Sequence, residues 1–323
     1  MNIIGDVFLD KAYSSNFEFD KFVFNLEHPI TENLSDPALN KVNLYSAESY
    51  IKETFNKMPC GVFLANNHIF DFGIIGAKST IDYLEKNKIK YCGIGNKANN
   101  FNNPMILEDC SENLIEFYNY CCLSTNPSRG NSEIDVSIFN LKKVQEDLRD
   151  SIEHSILKVV SIHWGDEEIK YASDDMKLNA RALIDSGADI IIGHHAHVIQ
   201  ETEIYKGKYI FYGIGNAIFP DLSVKSYYTE SKNFSIFEKK QSQKNREGYL
   251  VQVNGGQINV MKSYFHNNSY NIKFKVNKFI SPSVISFDSY RKFFRRYIMI
   301  KNFLRSPKLP DRKRLVRFVK GLD

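Results

Sequence analysis

The stretch that decides the reading is Ala188–Gln200, A-D-I-I-I-G-H-H-A-H-V-I-Q. The apolar run Ile190, Ile191 and Ile192 predicts a short buried strand that stops at Gly193, and His194, His195 and His197 follow at once. A strand feeding a glycine turn puts side chains at the carboxyl end of a sheet, where open α/β folds place their ligand sites. His195 and His197 are two apart, so on an extended or tightly turned backbone both rings can face one point. Neutral imidazole nitrogens are ligands for divalent metals. Three ordinary loop histidines are the alternative. Against it stands the clustering of three of the chain's eight histidines within four positions after a buried-type strand.

Working outward, other strand ends carry matching groups. Asn2–Ile4 predicts a first strand ending at Gly5 and Asp6. Phe22–Phe24 predicts a second, followed by Asn25-Leu26-Glu27-His28-Pro29, where Pro29 turns the chain out of the ladder. Alone, Asp6 reads equally as turn chemistry and Glu27 as a solvated loop carboxylate. Gly61–Leu64 predicts a third strand that runs into Asn66-Asn67-His68-Ile69-Phe70-Asp71. An Asn amide oxygen suits a hard or borderline cation. His68 can act as ligand or acid, and Asp71 can fix its tautomer. Leu157–Ile162 predicts another strand, ending in His163-Trp164-Gly165. Asp6, Glu27, Asn67, His163, His195 and His197 therefore all sit at predicted strand ends, and the expectation is five strands of one sheet. Carboxylate, amide and imidazole without thiolate suit Mn²⁺, Zn²⁺ or Fe, bound as one or two ions. A carboxylate shared between two such ions can help generate a hydroxide nucleophile near neutral pH.

Between these strands, Ala47–Asn56, Ala77–Asn87, Leu141–Ser151 and Asp175–Ser186 predict helices, the last stopped by Gly187. Tyr91–Ile94 and Tyr209–Tyr212 predict further strands, and Ile106–Tyr120 a pair around an acidic turn. The alternation favours a largely parallel sheet. Gly213-Ile214-Gly215-Asn216 is not a dinucleotide fingerprint, since the third glycine before a helix is missing. It is expected to bring backbone close to a metal or substrate. Gly248–Val253 and Ile258–Tyr264 predict a hairpin through Asn254-Gly255-Gly256. Ser223–Arg246 is a long polar insertion, either a substrate flap or a loop.

Composition sets bounds. The chain has 323 residues, 43% of them hydrophobic and 25% charged, enough for one large core with an appendage. The expected division is a body over residues 1–280 and a tail over 281–323. The cysteines, Cys60, Cys92, Cys110, Cys121 and Cys122, are odd in number and lack metal-site spacing, which fits a reducing compartment. The opening Met-Asn-Ile-Ile-Gly-Asp reads as a strand and not a cleavable signal. No apolar run reaches the ~18 residues of a membrane span. The expectation is a cytoplasmic protein.

The formal charge of +4 hides an asymmetry: between Arg291 and Lys320 twelve basic residues face the single acid Asp311, a net +11, so the rest sums to −7. Within Tyr290–Leu304, helical spacing puts Phe293, Tyr297, Ile300 and Leu304 on one face, with Arg291, Arg295 and Arg296 largely off it. Arg312–Lys320 begins a second basic amphipathic piece. A helix docked on the body, a peripheral membrane contact through residues 290–320 at the inner membrane face, and capture of an anionic polymer or partner are the three readings. Nucleic acid is excluded as a partner, because the body is acidic and no nucleic-acid motif is present.

The motifs in order are G-D, N-L-E-x-P, A-N-N-H-x-x-D-x-G, H-W-G-x-E, G-A-D-x-I-I-G-H-x-x-H-V and G-x-G-N. Together they resemble the bacterial capsule-synthesis (poly-γ-glutamate capsule protein-like) family of the calcineurin-like metallophosphoesterase superfamily. The likeness runs from about Ile3 to Phe219. It implies a four-layer α/β/β/α sandwich with a metal site at the strand carboxyl ends. It also implies roles: Asp6 and His197 on one metal, Asn67, His163 and His195 on the other, and Glu27 bridging. His68, oriented by Asp71, would protonate the leaving group or stabilise the transition state. There are departures. Phe8 stands where many superfamily enzymes have a histidine ligand, Glu27 replaces an aspartate, and Ala196 replaces a frequent proline. The family's usual N-terminal membrane anchor is also not read here.

The functions this resemblance implies are a metal-dependent hydrolase acting on a phosphorylated or anionic glycan-type substrate, and an accessory protein that binds an anionic polymer. A third is a metal-dependent amide hydrolase on a γ-glutamyl-type polymer. Fold does not choose among them. The histidine–carboxylate pair His68 and Asp71 favours catalysis.

Overall fold

The computed structural model describes residues 1–305 other than 48, 100, 102, 151–156, 229–232 and 282–285. Two large sheets dominate it. The first has a parallel half, Asn2–Val7, Phe22–Leu26, Gly61–Phe63 and Lys90–Cys92. Its other half is an antiparallel meander, Glu247–Asn254, Gln257–His266 and Ser269–Lys275, joined to Asn2–Val7. In the second sheet Leu114–Cys121, Leu157–His163, Ile190–His194 and Lys208–Phe211 run parallel, with Met105–Glu108 and Thr202–Tyr205 antiparallel at the two edges.

Side-chain alternation along these strands sorts the core into layers. Ile3, Val23 and Phe63 of the first sheet pack with Phe117, Val159, Ile190 and Ile192 of the second. On the other face of the first sheet Ile4, Phe22 and Phe24 meet Ile51 and Phe55 of the helix Ile51–Phe55 and Leu84 of the helix Gly73–Lys86. On the other face of the second sheet Tyr118, Val160 and Ile191 meet Val144 and Leu148 of the helix Leu141–Arg149, and Ala180 and Leu183 of the helix Asp174–Asp185. The order is helix, sheet, sheet, helix, the α/β architecture expected.

Local chemistry sets the helix ends. Ser173 caps Asp174–Asp185 by accepting from the Met176 N–H at 3.2 Å, and Asn140 does the same for Lys143 at 3.1 Å. Gly187, at φ +106°, lets the chain leave the former helix as expected.

Three expectations change. The strands that end in site residues belong to two sheets, not one, because Leu157–His163 pairs with Leu114–Cys121 and Ile190–His194. The helix expected over Ala47–Asn56 covers only Ile51–Phe55. Ser46 is held extended beside Pro29 and Thr31, so helix cannot begin there. The polar insertion Ser223–Arg246 contains an antiparallel hairpin, Leu222–Tyr227 with Phe234–Lys239, whose tip residues 229–232 lie outside the described residues. Its Leu222, Val224 and Phe237 pack on Phe8, Leu44 and Phe219.

Phe287–Arg305 is a helix. The second basic piece, Arg312–Lys320, lies outside the described residues. No helix among the described residues is long and apolar enough to cross a membrane.

Candidate metal centre

The carboxyl ends of the two parallel strand sets meet, and the polar residues at those ends are buried together. Asp6 reaches this point through an irregularity. Residues Asn2, Ile3 and Ile4 pair in step with Phe22, Val23 and Phe24, but Asp6 pairs with Asn25, leaving Gly5 unpaired. Such a bulge re-aims the side chains that follow it. A Cβ on Gly5 would lie 1.9 Å from the Gly215 carbonyl oxygen, so only glycine fits. His194 follows from simple alternation: Ile190 and Ile192 face the first sheet, and two residues on His194 does too. Its Nδ1 is 2.7 Å from Asp6 Oδ1.

One group of donors is compact. His163 Nε2 lies 2.8 Å from Asn67 Oδ1, 3.1 Å from His195 Nδ1 and 3.3 Å from Glu27 Oε1. The donor atoms of Glu27, His163 and His195 all fall within 4.8 Å of one another. Glu27 Oε1 is buried without a hydrogen-bond partner. A buried carboxylate oxygen left unbonded and facing imidazole nitrogens is costly for a metal-free chain and natural for a cation site. The donor set therefore fits a divalent ion.

The second group is engaged differently. Asp6 Oδ1 accepts from the Asn25 amide at 2.9 Å as well as facing His194, and its Oδ2 accepts from the His195 N–H at 3.2 Å. His197 Nδ1 lies 3.4 Å from Asp6 Oδ2 and 2.9 Å from Asn216 Oδ1. The Asn25 amide also donates to Glu27 Oε2, so it ties the two carboxylates together. Phe8, with no donor to offer, packs edge-on against His28 at 5.2 Å. The turn that delivers His195 and His197 holds both at positive φ, 82° and 53°, a conformation that costs of order 1–3 kcal/mol per residue and gathers at functional sites. Gly215 and Asn216 do approach the site, as expected: Asn216 pairs with Asp6 in the sheet and orients His197.

The His68–Asp71 pair sits beside the compact group. His68 Nδ1 is 2.5 Å from Asp71 Oδ2, and Lys41 Nζ is 2.7 Å from Asp71 Oδ1. Lys41 also donates to the Asn67 carbonyl. Asn66 Oδ1 accepts from the N–H groups of His68 and Ile69 at 3.0 and 2.9 Å, which shapes the turn.

Electrostatics separates the groups. Burial pushes His195 down to about 4 and, with His195 beside it, holds His163 well below the usual imidazole range. Both rings are thus neutral, the form that binds metal. Burial and the Asp6 charge hold Glu27 well above the usual carboxylate range. Burial opposes ionisation of Asp6, but His194 and His197 hold its carboxyl well below that range. For His197, burial is outweighed by Asp6, Glu27 and Glu167, which raise it to about 9. His68 is lowered by burial, with Asp71 opposing.

All eight expected residues, Asp6, Glu27, Asn67, His68, Asp71, His163, His195 and His197, line this one region. Sequence reasoning passed over Asn25 and Lys41; it noted His194 without giving it a partner, and placed Asn216 near the site without pairing it with His197. It also passed over Glu167. Against desolvation, His197 and Lys239 hold the carboxyl of the half-exposed Glu167 down at about 2. Its position in H-W-G-x-E was the available signal.

Residues 9–221 match the family model described as bacterial capsule synthesis protein. The chain is 26% identical over 244 residues to a capsule biosynthesis protein CapA of Bacillus anthracis, covering 68% of this chain and 59% of that one. It is 26% identical over 250 residues to the PGA biosynthesis protein CapA of Bacillus subtilis, covering 71% and 64%. It is 28% identical over 166 residues to a probable polyglutamine synthesis accessory protein of Mycobacterium tuberculosis, covering 48% and 44%. The chain thus spans about three fifths of the length of the CapA relatives. With the match running over most of the chain, this protein belongs to the bacterial capsule synthesis protein family.

Proposed function

We propose that the protein is a metal-dependent hydrolase, of phosphoesterase type, acting on a phosphorylated or anionic glycan-type substrate in capsule or surface-polysaccharide biosynthesis. The observation that carries the reading is the His68–Asp71–Lys41 array next to the compact donor set. A structural ion needs only ligands, whereas an imidazole held by a buried carboxylate is the equipment of proton transfer.

Asn67, His163, His195 and Glu27 would hold one ion. Asp6 and His197, with Glu27 between, would hold a second more weakly, because Asp6 is already engaged by Asn25, His194 and His197. When bound, the metal supplies Lewis acidity and an activated water. Asp71 holds Nδ1 of His68, and the opposite ring nitrogen is left to pass a proton to the leaving oxygen. Lys41 neutralises Asp71 and fixes the Asn67 carbonyl, so the turn keeps the amide of Asn67 on the donor cluster.

Metal analysis of purified protein, paired with hydrolysis of an aryl phosphodiester across Mn²⁺, Zn²⁺ and Mg²⁺, tests the reading. Bound metal with metal-dependent turnover is expected. Bound metal without turnover of any phosphoester would favour the second reading, an accessory protein that binds an anionic polymer. The mycobacterial relative, known as a probable polyglutamine synthesis accessory protein, and the donor-free Phe8 support that alternative.

A further inference from the structure

The helix Phe287–Arg305 touches the body along one side. Arg291 Nε is 2.9 Å from Asp166 Oδ2, Arg295 is 3.0 Å from Asp166 Oδ1, and Tyr290 meets Tyr171 edge-on at 4.7 Å. At about 100° per residue, Phe293, Tyr297 and Ile300 fall within roughly 60° of one another, opposite Arg291 and Arg295. They are 69%, 51% and 55% exposed. On the same projection Lys292 and Arg296 border this stripe on one side, and on the other Lys301 lies beside Tyr290, where the helix turns toward the body. The Lys301 ammonium lies 5.9 Å from the centre of the Tyr297 ring. The body-facing arginines are therefore spent on Asp166, while the outward face is apolar and edged with cations.

We propose that this helix lies in the surface of an anionic lipid bilayer, with Phe293, Tyr297 and Ile300 entering the headgroup boundary. An apolar stripe with basic borders is the pattern of an interfacial helix. Charge selects the occupant. A second copy would set one strongly basic segment, net +11 between Arg291 and Lys320, against another. Anionic headgroups complement all of it.

The clamp also fixes what is brought to the bilayer. Asp166 lies three residues after His163, and the neighbouring Glu168 N–H donates to the Ala196 carbonyl at 2.8 Å, between His195 and His197. The helix thus docks on the rim of the metal centre, not at the far end of the sheets.

Co-sedimentation of the full chain with phosphatidylcholine vesicles, with and without phosphatidylglycerol, tests the proposal. Three forms are compared: the natural chain, Phe293→Ser with Tyr297→Ser and Ile300→Ser, and Lys292→Glu with Arg296→Glu and Lys301→Glu. Unchanged melting temperatures establish that the exposed substitutions leave the body folded. The natural chain should bind phosphatidylglycerol vesicles and not neutral ones, with salt weakening the binding. Each basic side chain near an anionic leaflet is worth about fivefold in partition, so the charge reversals should lower binding by about 100-fold or more. The serine form should lose on the order of 10- to 100-fold. Equal binding to neutral vesicles, no binding to either, or full binding by the serine form would overturn the proposal. So would light scattering that shows a dimer abolished by the serines in a chain that ignores vesicles.

Discussion

His68 carries the distinction between a hydrolase and a metal-binding scaffold. Its Nδ1 is committed to Asp71, and it lies outside the compact donor group of Asn67, His163, His195 and Glu27. His68→Ala is therefore expected to keep its metal and lose ~10²–10⁴-fold in turnover, the usual worth of a general acid or base. Metal content and rate measured on the same preparation check this, and a collapse of metal content would make His68 a ligand instead. His163→Ala should do the reverse and empty the compact site, because its Nε2 stands at the centre of that group; a full complement of metal in this variant would remove the site. At this scale the sequence made the donors legible, since each follows an apolar run. It did not disclose Asn25 and Lys41. Their roles depend on which neighbour each faces, Glu27 and Asp6 for one and Asp71 for the other, and that is set by tertiary packing.

The elements differ in how far they could be read. Parallel strands were plain as apolar runs, but a run says nothing about which sheet it joins. Leu157–His163 and Gly61–Phe63 are both short apolar runs, yet they lie in different sheets that share one core. The hairpin Leu222–Tyr227 with Phe234–Lys239 was masked by its polar composition. Its Val224–Phe237 pair faces the body, while Phe234 and Ile236 on the opposite face stay exposed, so no single apolar stripe marks it. The bulge at Gly5 was equally hidden, because an unpaired residue leaves no composition signal. It nonetheless decides where Asp6 points. Gly5→Ala would set a methyl group 1.9 Å from the Gly215 carbonyl oxygen, backbone against backbone. Overpacking costs typically 1–3 kcal/mol, and with no flexible side chain to yield, a loss of about 3 kcal/mol or more is expected in denaturant unfolding. A variant as stable as the natural chain would mean the strands can separate there freely.

On the scale of the molecule, the compact donor set spans the two sheets. Glu27 and Asn67 come from the ends of the first sheet, and His163 and His195 from the end of the second. A bound ion would hold together the two sheets that otherwise meet through an apolar layer of Ile3, Val23, Phe63, Phe117, Val159 and Ile192. Binding that requires the folded arrangement stabilises it by about 4 kcal/mol when free metal is a thousandfold above its dissociation constant. For domains of this general size each kcal/mol moves the melting temperature by roughly 2–4 °C, so stripping with a chelator should lower it by on the order of 10 °C. Readdition of Mn²⁺ or Zn²⁺ should restore it. His163→Ala should melt at one temperature with or without metal, because the set then lacks its central nitrogen. Removing the buried imidazole also removes any repulsion it makes with His195 in the metal-free chain. The response to metal, not the absolute melting temperature, is therefore the quantity to compare. A natural chain whose melting ignores both chelator and metal would show that the two sheets are held by their apolar layer alone, and that the donors at their ends bind no ion tightly enough to matter to the fold.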